Sequence, residues 1–276
     1  MCNNILSIDV EEIFHIEYYE KIKNDVQIYR SIENVPLILD LLDECNSKAT
    51  FFVLGEIIEK YPSLLKIIEN RGHELAYHGW SHTSLLKTTQ NIFKLELKNF
   101  LKLHPSCIGF RAPSFSLNEN SKWVLDILKN ENIKYDSSIF PAITILYGTP
   151  RAPIYPYKIS LNNLEKPCDN GIWEFPLLVY PILGLRIPTA GGFYFRMMPK
   201  IVDYSIKLRN KKGFPAVIYI HNWELDPNTP ILKINSYRSF ITYYNIKKTF
   251  KIFKKLLKNY EFTSFKNYLM NINADL

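Results

Sequence analysis

The first run of residues equipped for chemistry is Asp9-Val10-Glu11-Glu12, which follows the apolar stretch ILSI near the start of the chain. The C-terminal end of a parallel strand is where barrel scaffolds deliver catalytic groups. Taken alone, these acids are equally at home in a solvated surface turn. The second run is His78-Gly79-Trp80-Ser81-His82, after the strand-like Glu74–Tyr77. Two imidazoles four positions apart meet one ion if the residues between them form a helical or tight turn. With six histidines in the chain a chance pair is a fair alternative, but the order strand, histidine pair, helix is in register with the acidic strand end. Two neutral imidazoles and one carboxylate make a three-ligand catalytic site that leaves a coordination position for water. In Gly109-Phe110-Arg111-Ala112-Pro113-Ser114-Phe115 an arginine stands at another strand end, where it can clamp a carboxylate bidentately. In Ile218-Tyr219-Ile220-His221-Asn222-Trp223 one histidine closes the last apolar run, a place a satisfied core histidine fills as readily as a functional one.

Groups so far apart in sequence need a scaffold that gathers strand ends. Short β-rich runs alternate with helical periods, the pattern of a β/α architecture. Seven strands are predicted, at Ile5–Val10, Ala49–Leu54, Glu74–Tyr77, Ser106–Phe110, Lys134–Ser137, Ile172–Phe175 and Ala216–His221. Helical patterns fall at Val35–Glu44, Ile57–Asn70, Leu85–Leu103, Glu119–Asn130 and Lys200–Lys211. Arg71-Gly72 reads as a helix stop and Asn118 with Ser121 as a helix start. Two stretches break the alternation, Pro141–Asn170 and Leu177–Pro199. Structureless loops of that length are uncommon unless they form a lid or binding surface, and the tyrosines and phenylalanines in them suit stacking on sugar rings, although simply covering the barrel is an equal expectation.

Composition bounds the rest. The chain has 276 residues, 47% hydrophobic and 22% charged, which suits one α/β domain with a large core. Lys and Arg number 34 against 27 Asp and Glu, a net charge of +7. That excess favours an anionic partner, but it is mostly dispersed lysine. Its densest part, Lys247–Lys258, spaces Phe250, Ile252, Phe253, Leu256 and Leu257 as a solvated helix face over a buried stripe. No nucleic-acid-binding module accompanies it, so nucleic acid is not expected as a partner. The four cysteines form no C-x-x-C pair and read as free thiols in a reducing compartment. Neither a secretory signal nor a membrane-spanning run is visible, so the expectation is a soluble cytoplasmic protein that can touch a membrane surface.

Asp9 with its acidic followers, the H-x-x-S-H segment, Arg111-Ala112-Pro113-x-Phe115, Trp173-Glu174-Phe175-Pro176 and Ile220-His221 together resemble the ordered motifs of the polysaccharide deacetylase family, the NodB-like carbohydrate esterase family four. The resemblance runs from about Leu6 to Trp223 and is specific as a set. It implies a distorted (β/α)7 barrel, here a single domain over 1–276 with long loop excursions and with 224–276 a C-terminal extension packing on the barrel. It further implies a divalent ion, usually zinc, and hydrolysis of acetamido groups on sugars. The commonest family pattern has two adjacent aspartates at the first motif. Here the stretch is Asp9-Val10-Glu11-Glu12, and since alternate strand residues share a face, Asp9 is read as base and Glu11 as ligand, with Glu12 the alternative ligand.

Carried over on these positions, Glu11, His78 and His82 hold the ion, Asp9 takes a proton from water, and His221 protonates the departing amine. Arg111 orients Asp9, with Glu174 a partner of that network. Phe115, Trp173, Gly191, Gly192, Tyr194 and Trp223 are expected to contact substrate. Thr189–Arg196 and His221–Pro227 are similar to a subgroup associated with bacterial exopolysaccharide assembly. The implied partner is an N-acetylated glycan, with a lipid-linked form suited to the net charge. Two rivals remain: a small cyclic-amide hydrolase of the same fold, and a sugar-binding homologue without chemistry. Proline-rich aromatic excursions favour an extended substrate over the first, and the presence of both Asp9 and His221 disfavours the second.

Overall fold

The computed structural model describes residues 3–16, 29–144, 147–232 and 236–274. Its first half comprises β1 (Asn4–Val10), α1 (Ser31–Glu44), β2 (Thr50–Val53), α2 (Gly55–Lys60), α3 (Ser63–Asn70), β3 (Glu74–Tyr77), α4 (Gln90–Leu103), β4 (Gly109–Phe110), α5 (Trp123–Asn130) and β5 (Tyr135–Asp136). Then follow β6 (Tyr157–Lys158), β7 (Trp173–Glu174), β8 (Val179–Ile182), β9 (Leu185–Pro188), α6 (Gly192–Met197), α7 (Pro199–Lys211), β10 (Val217–His221), α8 (Ser236–Tyr243), α9 (Thr249–Asn259), β11 (Phe262–Thr263) and α10 (Phe265–Asn271). All seven predicted strands are present; β1 begins one residue earlier than predicted, β3 has the predicted bounds, and the other five are shorter. They run parallel in the order β10-β1-β2-β3-β4-β5-β7. The sheet curls so far that the Leu178 N–H, just past β7, donates to the Val217 carbonyl of β10 at 3.0 Å. This is the α/β curled sheet expected, a distorted barrel rather than a closed one.

Every residue of β1 and of β2 is buried, as parallel strands covered on both faces must be. Helices cover the outside with apolar stripes: α4 buries Phe93, Leu97 and Phe100 at i, i+4 and i+7. The predicted Ile57–Asn70 helix is two, α2 and α3, because Pro62 between them cannot continue a hydrogen-bond ladder. The Leu85–Leu103 helix begins late, at Gln90, where the Thr89 side chain accepts from the Ile92 N–H and caps it. After α3, Gly72 takes a φ of +73°, the left-handed cap its position suggested.

The two excursions are not bare loops. Pro141–Asn170 contributes β6, antiparallel to β7 at the sheet edge. Leu177–Pro199 folds into a β8–β9 hairpin and the short α6. The described residues of 224–276 enter the core as well as covering it. β11 pairs with the first residues of β1, and Phe265 of α10 is fully buried in an aromatic layer. Its ring lies 4.9 Å from Tyr135, 5.0 Å from Phe175 and 5.7 Å from Phe52. Phe52 in turn carries the Arg111 guanidinium 4.2 Å over its ring, linking this layer to the strand ends. Cys45, Cys107 and Cys168 are free. Among the described residues no helix is long and apolar enough to cross a membrane.

Candidate active site

Strand pairing brings the distant motifs together. In the β1–β10 register Asp9 stands beside His221, and β3 and β4 deliver His78 and Arg111 to the same rim. The histidine segment is a tight turn, not a helix. Gly79 has φ +85° and a side chain there would strike the Pro113 ring at 2.9 Å; His82 itself is left-handed at φ +61°. That conformation is costly for a non-glycine residue and is a mark of functional sites. It sets the His78 and His82 rings 5.2 Å apart.

Glu11, His78 and His82 offer ligand atoms all within 4.8 Å of one another. Glu11 is buried, its Oε2 lying 2.8 Å from His82 Nε2, yet Oε2 accepts no hydrogen bond and His82 Nδ1 has no partner. Buried polar atoms left this way are rare, and the one on Glu11 stands beside an imidazole nitrogen within the three-residue cluster. Burial would raise the Glu11 carboxyl, but His82, His221 and His78 outweigh it and hold the group well below the usual carboxylate range. Burial pushes His78 down to about 4, so its imidazole is neutral, the form that binds a metal. Its Nδ1 lies 2.9 Å from the Arg111 carbonyl; since a carbonyl only accepts, Nδ1 carries the proton and Nε2 is left for an ion. The donor set therefore fits a divalent cation.

Glu12 is not part of this cluster. Its Oε1 accepts from the Ser31 N–H and hydroxyl and its Oε2 from the Arg30 N–H, so it caps α1. Two further contacts hold Glu11: its N–H donates to the Asn222 side chain at 2.9 Å, and the Trp223 indole N–H donates to Oε1 at 3.2 Å. Trp223, expected against substrate, lines the cavity but chiefly stacks on His221 (5.1 Å, 16°) and fixes Glu11.

Arg111 is fully buried and does not grip Asp9 with both arms, as the sequence reading anticipated. Nη1 donates to Asp9 Oδ1 at 2.7 Å and to Ser7 at 2.8 Å, while Nε and Nη2 donate to the Ser137 carbonyl and hydroxyl. The fork spans two strands and so can spend only one arm on the carboxylate. Glu174 lies outside this set. It accepts from the Ile139 N–H, and burial together with neighbouring Asp136 pushes its carboxyl well up.

His221 is held by a residue not singled out from sequence. Its backbone N–H and Nδ1 both meet Glu224 Oε2, at 3.1 and 3.0 Å, and Glu224 is paired on its other side with buried Arg196. Burial would raise Glu224, but Arg196 and His221 bring it down to about 2. For His221 burial alone would lower the pKa, yet Glu11, Glu224 and Asp9 raise it to about 9. Gly191 and Gly192 exist for this packing. A side chain at 191, where φ is +94°, would meet the Tyr219 ring at 2.8 Å, and one at 192 would meet the Glu224 carboxylate at 2.3 Å.

The cluster opens into a cavity of about 680 Å³ walled by Phe115, Tyr147, Phe193, Tyr194 and Tyr219, with Gly191 and Gly192 also lining it. Trp173 does not reach it. It lies on β7, its ring 6.2 Å from that of Phe175. Tyr155 stacks on Phe214, the Tyr157 hydroxyl donates to the Leu164 carbonyl, and Phe195 is buried, so these three excursion aromatics are structural.

Residues 29–125 match a family model described as polysaccharide deacetylase, and 137–270 match a domain of unknown function (DUF3473). The first of these spans both histidines and Arg111. Over 29–125 the chain is thus similar to the polysaccharide deacetylase family. Its similarity to a peptidoglycan-N-acetylglucosamine deacetylase of Bacillus cereus is 38% identity over 84 residues, 30% of each protein. To chitin deacetylase 1 of Cryptococcus neoformans it is 34% over 80 residues, 29% of this chain and 17% of that one. The match thus spans under a third of either relative's length. A crystal structure of a Mycobacterium smegmatis protein assigned to the polysaccharide deacetylases superposes with a TM-score of 0.61 at 14% identity, covering 99% of this chain and 91% of that one. At that identity it speaks for the fold, and the deacetylase-type curled sheet is the fold found here.

Proposed function

We propose that this chain is a metal-dependent hydrolase that removes an acetyl group from an N-acetylhexosamine within an oligosaccharide or polysaccharide precursor. One observation carries the reading: the Glu11–His78–His82 donor set, its ligand atoms within 4.8 Å of one another, lining an aromatic cavity and flanked by Asp9 and His221. A divalent ion bound there, with zinc suited to two imidazoles and a carboxylate, would supply Lewis-acid polarisation of the acetyl carbonyl and of water. The chain's own groups do the proton work. Asp9, fixed by Arg111, accepts a proton from the attacking water. His221, kept protonated by its carboxylate neighbours, delivers one to the departing amine, which leaves poorly without it. Tyr147, Phe193 and Tyr194 offer apolar surface to the faces of neighbouring sugars.

The reading extends to a substrate in exopolysaccharide assembly, supported by Thr189–Arg196 and His221–Pro227, both inside the domain of unknown function and both packed at this site. The test is acetate release from N-acetylglucosamine and from its oligomers of increasing length, in the metal-loaded protein. Release that rises with length supports the reading. Equal efficiency on the monosaccharide and all oligomers would overturn extended recognition and favour a small-amide hydrolase. No release from any glycan, with metal bound, would leave a binding protein.

A further inference from the structure

We propose that the tip of the β8–β9 hairpin, beside the basic stripe of α7, docks this protein on an anionic phospholipid surface. None of these residues lines the catalytic cavity, so the inference stands apart from the deacetylase reading.

Pro181, Ile182, Leu183, Gly184 and Leu185 form an uncharged run, all exposed: Leu183 is 97% and Leu185 67% exposed. Leu183 and Gly184 are the turn, with φ of +48° and +78°. Such turns select Asn, Asp or Gly, since a bulky residue is strained at positive φ. A leucine there carries that strain while burying almost nothing, so folding gives no reason for it. The hairpin is not a loose flap: Arg186 of β9 donates to the carbonyls of Pro141 and Ala152, anchoring the projection to the body.

The neighbouring surface is basic. Tyr180 of β8 packs edge-on against Tyr204 of α7 at 5.6 Å. Lys200, Lys207 and Lys211 fall at i−4, i+3 and i+7 from Tyr204, on one helix face, and all are exposed. Lys255 of α9 adds to them across Asp203, the one acid in the stripe, which is engaged by Lys207 and the Tyr260 hydroxyl. The tip lies three residues beyond Tyr180, about 10 Å along the strand. That offset matches the depth between phosphate headgroups and the acyl boundary, where apolar wedges with flanking lysines partition.

The experiment is sedimentation of the full chain with vesicles of phosphatidylglycerol and phosphatidylcholine, against phosphatidylcholine alone. Binding to the mixed vesicles is expected, weakening with salt, and falling by roughly tenfold or more in the double variant Leu183→Asp, Leu185→Asp. Leu183→Asn serves as the control for folding. It relieves the turn, so its melting temperature should equal or exceed the parent's while vesicle binding drops. Lys200→Glu with Lys207→Glu should lower binding and flatten its salt dependence. A parent protein that ignores anionic vesicles, tip variants that bind undiminished, or equal binding to neutral vesicles would overturn the proposal. So would self-association that Leu183→Asn abolishes without any vesicle binding, which would give the tip to a second copy of the chain.

Discussion

Glu224 grips His221 twice, its Oε2 meeting both the backbone N–H and Nδ1, while Arg196 neutralises the carboxylate from behind. This leaves Nε2 as the ring atom turned towards Glu11, 3.5 Å away, and so fixes which nitrogen can hand over a proton. Replacing Glu224 with Gln keeps the shape but removes the charge that favours the imidazolium. Turnover on an acetylated oligomer should fall ~10–100-fold, the usual cost of losing a partner that orients a site residue. Its alkaline limb should move to lower pH. An unchanged pH profile would show that Glu224 only packs.

Asp9 and the ligand set are separable. Asp9→Asn should keep stoichiometric metal, measured by elemental mass spectrometry, while lowering turnover by about 10²–10⁴ for loss of a general base. His82→Ala or His78→Ala should instead lose the metal. Near-normal turnover in Asp9→Asn would move the base to another carboxylate, and full occupancy in both histidine variants would dismantle the proposed centre.

Phe265 is the test of whether the C-terminal segment belongs to the core. Its ring touches Phe52, Tyr135 and Phe175 and is fully buried. Phe265→Ala should cost about 3–5 kcal/mol, the range for a truncated buried phenylalanine. Urea denaturation measures it, and a loss below about 1 kcal/mol would mean that α10 merely rests on the barrel.

Stripped of metal by a chelator, the protein should show a stability wing due to His221. Its pKa rises from 6.5 to about 9 on folding, so the folded state binds the extra proton. That contribution is fully present below about 6.5 and fades as pH climbs through about 9. Melting temperature should therefore decline across this interval, and His221→Phe should flatten the decline. A slope unchanged in the variant would assign the wing to other groups.

The seven strands were legible because buried parallel strands are short apolar runs punctuated by helical periods, a signal carried by neighbouring residues. Asp9, Glu11, His78, His82, Arg111 and His221 were legible for the same local reason, as chemistry-bearing types at strand ends. Strand alternation preferred Glu11 over Glu12 as ligand, but what keeps Glu12 away from the histidine cluster was not legible. It is the claim of Arg30 and Ser31 on Glu12 as a helix cap, 18 and 19 residues downstream. Nor was Glu224 as the holder of His221, since an acid after an aromatic looks like any surface acid until Arg196, 28 residues earlier, is seen against it. Gly191 and Gly192 were noticed, but their reason is close approach by Tyr219 and Glu224, which only packing shows. Trp173 had the motif but does not line the cavity. Aromatic content marks Tyr147, Tyr155, Tyr157 and Tyr194 alike, and which of them faces the cavity is set by contacts between elements far apart in the chain. Period and residue type thus determine which elements form and which groups stand at their ends. Long-range packing decides where each side chain points, because a partner's hydrogen bond or steric claim leaves no trace in the local pattern.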